Sequence, residues 1–188
     1  MLKLIRQNKP EPVALPPVIR FDSLFENTEE KFRETLAAIY TEVIFVKDME
    51  ELVVKAGELY AGVVNRATTI PELGIWADFS LNVSDPHELE TIEIAILKAE
   101  FGVAENGAVW VTDNESEIRV LPFITQHLAV VLQRSELVAN MHQAYDRIGL
   151  ESYPFGAFIA GPSKTADIEQ SLVLGAHGPK SMTVFLVG

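Results

Sequence analysis

Apolar residues recur at two spacings along this chain, and the alternation between them is the first clue to its architecture. Asn27-x-x-Glu30 has the spacing of a capping box, and Phe32, Leu36, Ile39 and Tyr40 follow at helical intervals. Val43-Ile44-Phe45-Val46 is a short apolar run with β-branched residues, which predicts a buried strand. Asp48-x-x-Glu51 repeats the capping spacing ahead of Leu52, Val53, Ala56, Leu59 and Tyr60, a second amphipathic helix. Residues 65–90, punctuated by Pro71, Gly74 and Pro86, carry no clear period. Ile92, Ile94 and Ile96 alternate as a strand would, and Ala108 to Thr112 reads as another, ended by the turn residues Asp113 and Asn114. Leu128 to Leu132 is a fully apolar run of strand length. Ser135-x-x-Val138 predicts the opening of a helix whose face includes Leu137, Met141, Tyr145 and Ile148 and whose end is Gly149. Phe155 to Ala160 is apolar, helix-like residues follow Thr165, and Thr183 to Val187 closes the chain as a strand. Strands alternating with helices predict an α/β fold with a mainly parallel sheet, which binds ligands beyond the carboxyl ends of its strands.

Length and composition narrow the picture. The 188 residues suffice for one domain with a full core. Residues 1–20 hold Pro10, Pro12, Pro16 and Pro17 and are basic, with Lys3, Arg6, Lys9 and Arg20 against Glu11. Because proline fixes φ and removes a donor, this stretch is expected to be an extended arm, with residues 21–188 forming the domain. The formal charge of −12 repels nucleic acid and anionic membrane, since nothing here neutralises a run of phosphates. Cysteine is absent, which removes disulfides, thiolate catalysis, cysteine-ligated zinc and any iron–sulfur cluster held by cysteines of this chain. The start, Met1-Leu2-Lys3-Leu4-Ile5-Arg6-Gln7, lacks the apolar stretch of a signal peptide, and no window approaches ~18 consecutive apolar residues. A cytoplasmic location is expected.

The segment richest in candidate chemistry is Gly161-Pro162-Ser163-Lys164-Thr165-Ala166-Asp167-Ile168-Glu169. Glycine lets the backbone turn, proline stiffens the bend, and Ser163 or Thr165 can cap a following helix. Amide donors at such a helix start would hold an anionic group, with Asp167 and Glu169 in its first turn. Capping and turn chemistry alone accounts for the same residues. The segment is not a Walker A loop: Gly156-x-x-x-x-Gly161 is followed by Pro162 and Ser163 before Lys164, whereas the phosphate-binding lysine must follow the second glycine directly. No G-x-G-x-x-G occurs. Ala104-Glu105-Asn106-Gly107-Ala108 reads as a tight turn between apolar stretches, and Glu105 could instead serve as a crevice nucleophile or base. His87, His127, His142 and His177 form no H-x-x-x-H or H-E-x-x-H pattern, so a metal site has no local support. His177 sits in the loop Gly175-Ala176-His177-Gly178-Pro179, where a ring can contact a ligand or satisfy loop carbonyls.

Taken together, Gly161 to Glu169, then Leu174-Gly175-Ala176-His177-Gly178-Pro179 and a final apolar strand, resemble the C-terminal signature of the LutC/YkgG family, also called the LUD domain. Ala104 to Ala108 is similar to that family's second motif, with Asn106 where Thr or Ser is usual, and His127 before Leu128 matches a looser feature. The resemblance covers roughly residues 43–188. It implies a sandwich of the NagB/RpiA/CoA-transferase type and a part in oxidising L-lactate to pyruvate beside iron–sulfur partner proteins. This chain would then hold no cofactor itself, and the clusters would lie on the partners. On that basis the chain is expected to be an accessory or ligand-binding subunit, a component of an oxidoreductase complex. Gly161, Ser163, Lys164, Thr165, Asp167, Glu169, His177 and Gly178 would form a crevice for a small anion. The alternative is a stand-alone acyl-CoA or CoA-transferase-like enzyme, because Glu105-Asn106-Gly107 resembles the motif whose glutamate becomes acylated in some CoA-transferases.

Overall fold

Asn27 and Asp48 begin helices as their spacing predicts, and the strand between those helices enters a parallel sheet. The computed structural model describes residues 2–11, 13–14, 16, 19, 25–116, 118–149, 154–166 and 172–188. Helix α1 is Leu2–Gln7, and α2 is Thr28–Ala38. The Asn27 side chain accepts the Glu29 and Glu30 amides, both at 3.1 Å, satisfying donors that a helix start leaves orphaned. Strand β1, Thr41–Val46, leads to α3, Met49–Leu59, capped by Asp48 accepting the Glu51 amide at 2.9 Å. Next come β2 (Arg66–Thr68), β3 (Ile94–Lys98), β4 (Phe101–Val103), β5 (Ala108–Thr112) and the short helices α4 (Asp113–Ser116) and α5 (Leu121–Ile124). The chain continues through β6 (His127–Gln133), β7 (Leu137–Val138), α6 (Met141–Ile148), β8 (Gly156–Ile159), β9 (Lys164–Ala166), β10 (Leu172–Leu174) and β11 (Ser181–Val187).

The central sheet has the order β1-β11-β6-β3-β2, and every pairing in it is parallel. Such a sheet needs cover on both faces, which is why β6 and β11 read as near-continuous apolar runs. One face packs Ile94, Ile96, Ala129, Val131 and Phe185 against Leu52 and Ala56 of α3. The opposite face packs Leu128, Val130, Val184 and Leu186 against Phe32 and Leu36 of α2 and against Val109 and Val111 of β5. Phe32, Leu36, Leu52 and Phe185 are fully buried, each contributing about 1.5–3 kcal/mol of transfer free energy. A second, mixed sheet of order β7-β4-β5-β8 packs on this same face through β5, with α6 against it through Ala144, Met141 and Ile148. The α/β architecture with a mainly parallel sheet is as expected.

Three local expectations change. Residues 2–7 form a helix, with Leu2, Leu4 and Ile5 exposed, where the proline content of residues 1–20 predicted an extended arm. The prolines that motivated the expectation lie beyond those residues. Helix α6 starts after Asn140 and not at Ser135, because residues 134–136 form a 3-10 turn and Leu137–Val138 pair with Gly102–Val103 of β4. The true cap is Asn140, accepting the Gln143 amide at 3.0 Å, and Gly149 ends the helix at φ 62° as predicted. The described residues after Ser163 form no helix. Lys164, Thr165 and Ala166 pair antiparallel with Leu174, Val173 and Leu172 as a β-hairpin.

Candidate functional site

The described signature residues of the two loops converge, though at the opposite edge of the sheet from the one expected. The described residues 161–166 and 172–180 precede β11 and lie at the amino ends of the parallel strands. The Lys180 amide donates to the Gln126 carbonyl at 2.7 Å, just before β11 and β6 begin. Two loops are stitched together there by backbone bonds. The Ser163 amide donates to the Pro179 carbonyl at 2.9 Å, and the Gly175 amide donates to the Ser163 carbonyl at 2.9 Å. A Cβ on Gly178 would stand 3.1 Å from the Ser163 Cβ, so the loops touch without room between them.

Gly161 is buried, with φ 75°, and a Cβ there would stand 2.7 Å from the Ile39 carbonyl oxygen and 3.0 Å from Lys164 Nζ. Gly107 has φ 71°, and its Cβ would meet Ile39 Cδ1 and Leu36 Cδ2, each at 3.1 Å. The Gly-Pro bend and the Glu105 hairpin therefore rest on the same residue, Ile39, at the end of α2. Glu105 itself faces elsewhere: its Oε2 accepts the Met141 amide at 2.9 Å, at the start of α6, where the helix dipole favours a carboxylate. Asn106 accepts the Ala108 amide at 3.0 Å and tightens the turn.

Thr165 donates to the Val173 carbonyl across the hairpin at 3.3 Å, so its hydroxyl serves the strands and not a helix cap. With no helix opening at Ser163 or Thr165, the expected ring of helix amides around an anion is replaced by the hairpin. Asp167 and Glu169 lie outside the described residues. Lys164 and His177 are exposed at the rim, and Ser163 and Gly178 are half-buried between the loops.

Beside these loops the amino ends of β1, β6 and β11 form a cleft of about 410 Å³, lined by Tyr40, Glu42, Tyr60, His127, Ser181 and Thr183 among others. His127 and Ser181 are register partners, and Nδ1 and Oγ lie 2.7 Å apart in a hydrogen bond. Burial pushes the Tyr60 phenol up from its ordinary value, and a hydrogen bond with Thr183 partly offsets it. Glu42, His127, Ser181 and Thr183 all lie on the α3 side of the sheet, where polar side chains interrupt an otherwise apolar face. Sequence reading singled out His127 alone. The signal for the others was a polar residue at each strand start, legible only once the strands are known to be neighbours. Among the described residues, no group of three or more His, Asp or Glu is placed to hold a metal ion, and no helix is long and apolar enough to cross a membrane.

The family model described as the LUD domain matches residues 84–187, which hold both glycine turns, His127 and the stitched loops. The chain belongs to the LUD domain family. This LUD domain is similar to curated proteins named Lactate utilization protein C. The one from Oceanobacillus iheyensis is 27% identical over 122 residues, covering 62% of this chain and 52% of that protein. Those from Anoxybacillus flavithermus and Shouchella clausii are each 32% identical, covering 52% and 59% of this chain and 45% and 50% of theirs. The chain thus spans about half the length of the curated relatives it matches. The crystal structure of a DUF162 family protein from Deinococcus radiodurans superposes with a TM-score of 0.66 at 15% identity, covering 86% of this chain and 96% of that one. It shares the fold.

Proposed function

We propose that this LUD domain is an accessory, ligand-binding subunit of an L-lactate utilization system, acting with iron–sulfur partner proteins. The observation that carries the reading is that the matched relatives are named Lactate utilization protein C and that the family match spans the signature loops. Oxidising lactate to pyruvate releases two electrons and two protons. A chain without cysteine supplies no thiolate to hold a cluster, so in this reading any cluster that takes the electrons lies on a partner. The hydrogen-bonded amino-edge loops offer the docking or anion-binding contact. Lys164 and His177 supply exposed donors, and Ser163 positions them through its two backbone bonds.

The test is affinity purification of the tagged full chain from lactate-grown cells, together with growth of a deletion strain on lactate. Retention of a cluster-bearing partner, with its yield cut by the double variant Lys164→Ala, His177→Ala, supports the reading. Intact growth of the deletion strain with no cluster-bearing protein retained refutes it.

A further inference from the structure

The carboxyl edge of the parallel sheet holds a cavity of about 350 Å³ whose lining includes none of the described signature residues. Chain leaving β1 turns to α3 on one face, while chain leaving β3 runs to β4 and β5 on the other. A crevice opens between loops that part in this way, the place where open α/β sheets receive ligands. Lys98 ends β3 and pairs in register with Val131 of β6, and Gln133 ends β6. Cross-strand partners share a face, so Lys98, Val131 and Gln133 lie together on the α3 side. Asn114, from α4, and Glu72, from the turn after β2, complete the polar lining, and Ile70 with Val131 gives it an apolar wall.

Lys98 is the cation of this cavity, and among the described residues no carboxylate lies within ion-pair distance of it. Glu72 lines the same space without pairing to it. An unpaired, solvent-reaching lysine that lines the same space as Asn114 and Gln133 suits a carboxylate, which takes charge-assisted bonds from ammonium and amide donors. Glu72 would repel a second anionic group and instead accept a hydroxyl or ammonium hydrogen. The volume lies at the small end of metabolite pockets.

From this lining we infer that the cavity binds a short carboxylic acid bearing a hydroxyl or ammonium next to its carboxylate. The carboxylate rests on Lys98, the donor on Glu72, and the carbon skeleton against Ile70 and Val131. No described signature residue lines the cavity, and the choice of ligand class rests on the lactate-system reading proposed above.

The experiment is calorimetric titration of the purified full chain with L-lactate, L-alanine, pyruvate and inorganic phosphate. Wild type is compared with Lys98→Gln, Lys98→Arg and Glu72→Gln, and folding of each is checked by circular dichroism. L-Lactate or L-alanine should bind saturably, about tenfold more weakly or worse in Lys98→Gln and with most affinity kept in Lys98→Arg. Glu72→Gln should shrink the preference for L-lactate or L-alanine over pyruvate, and which of the two binds better identifies the donor. Tighter binding of phosphate than of every carboxylate overturns the assignment. So does saturable binding that Lys98→Gln leaves unchanged, or the absence of saturable binding by any of the acids. Because the titration involves no partner protein, a failure here leaves the copurification result standing, and the reverse also holds.

Discussion

Substituting alanine for Gly161 tests whether the signature bend is a packing device. Two costs add. At φ 75° an L side chain enters the left-handed region, which costs roughly 1–2 kcal/mol. The new Cβ would also stand 2.7 Å from the Ile39 carbonyl oxygen, a backbone atom at the end of α2 that cannot swing aside as the nearby Lys164 ammonium can. Relieving that overlap moves α2 or the loop, at about 1–3 kcal/mol typical of overpacking. Gly161→Ala should therefore lose about 2–5 kcal/mol. The control is Gly57→Ala, on the exposed side of α3 with no atom within 4 Å of its Cβ, which should gain roughly 0.5–1 kcal/mol by removing glycine's excess unfolded freedom. Urea denaturation followed by the fluorescence of Trp76 and Trp110 reads both. A Gly161→Ala midpoint within about 0.5 kcal/mol of wild type would show that the bend tolerates a side chain and that its glycine serves something other than close approach.

Further substitutions probe single contacts. Glu105→Ala should destabilise by roughly 0.5–1 kcal/mol, because the Met141 amide loses its acceptor at the start of α6, while Glu105→Gln keeps an oxygen there and most of the stability. Mass spectrometry after incubation with acyl-CoA should find Glu105 unmodified, and an acyl adduct on it would favour the acyl-transfer alternative. Tyr60→Phe should cost about 1 kcal/mol by stranding Thr183. The raised Tyr60 pKa also sets a sign: its contribution is complete below the unfolded value of about 10 and is lost as pH rises through the higher folded value. The gap between wild type and Tyr60→Phe in urea titrations should accordingly narrow above pH ~10, and a gap that widens there contradicts the burial argument.

The parts of the fold legible in the sequence are those fixed by short-range chemistry. Asn27 and Asp48 bond amides two or three residues away, and Gly149 adopts a conformation that its neighbours demand. Their capping patterns therefore predicted real helix ends. The apolar runs of β6 and β11 were equally plain, since a strand covered on both faces leaves no polar position to confuse the period. Misread segments owe their conformation to distant partners. Leu137–Val138 are held by Gly102–Val103, and Lys164–Ala166 by Leu172–Leu174, and neither pairing leaves a mark at helical or strand period in its own segment. The candidate site divides the same way. Gly161, Ser163 and Gly178 do meet, and Gly107 joins them through Ile39, but the edge at which they meet follows from their position before β11 in a parallel sheet. Lys98 and Gln133, each a last strand residue, become neighbours only through the β3–β6 register.

That separation of edges carries a consequence for how the two proposed contacts relate. Strand β6 runs from His127, in the amino-edge cleft, to Gln133, in the carboxyl-edge cavity. Six steps at ~3.3 Å per residue put the two ends about 20 Å apart. Between them β6 is buried, paired on both sides by β3 and β11, so no loop or hinge within it could relay a local change. Sites more than ~10 Å apart with no shared partner behave additively. Lys164→Ala with His177→Ala should therefore weaken partner capture and leave the carboxylate affinity of the cavity unchanged. Lys98→Gln should do the reverse, and the combined variant should show the sum of the two losses within about 0.5 kcal/mol. A cavity affinity that falls in the Lys164, His177 variant would mean that the edges communicate, and the rigid strand could not then be the only connection between them.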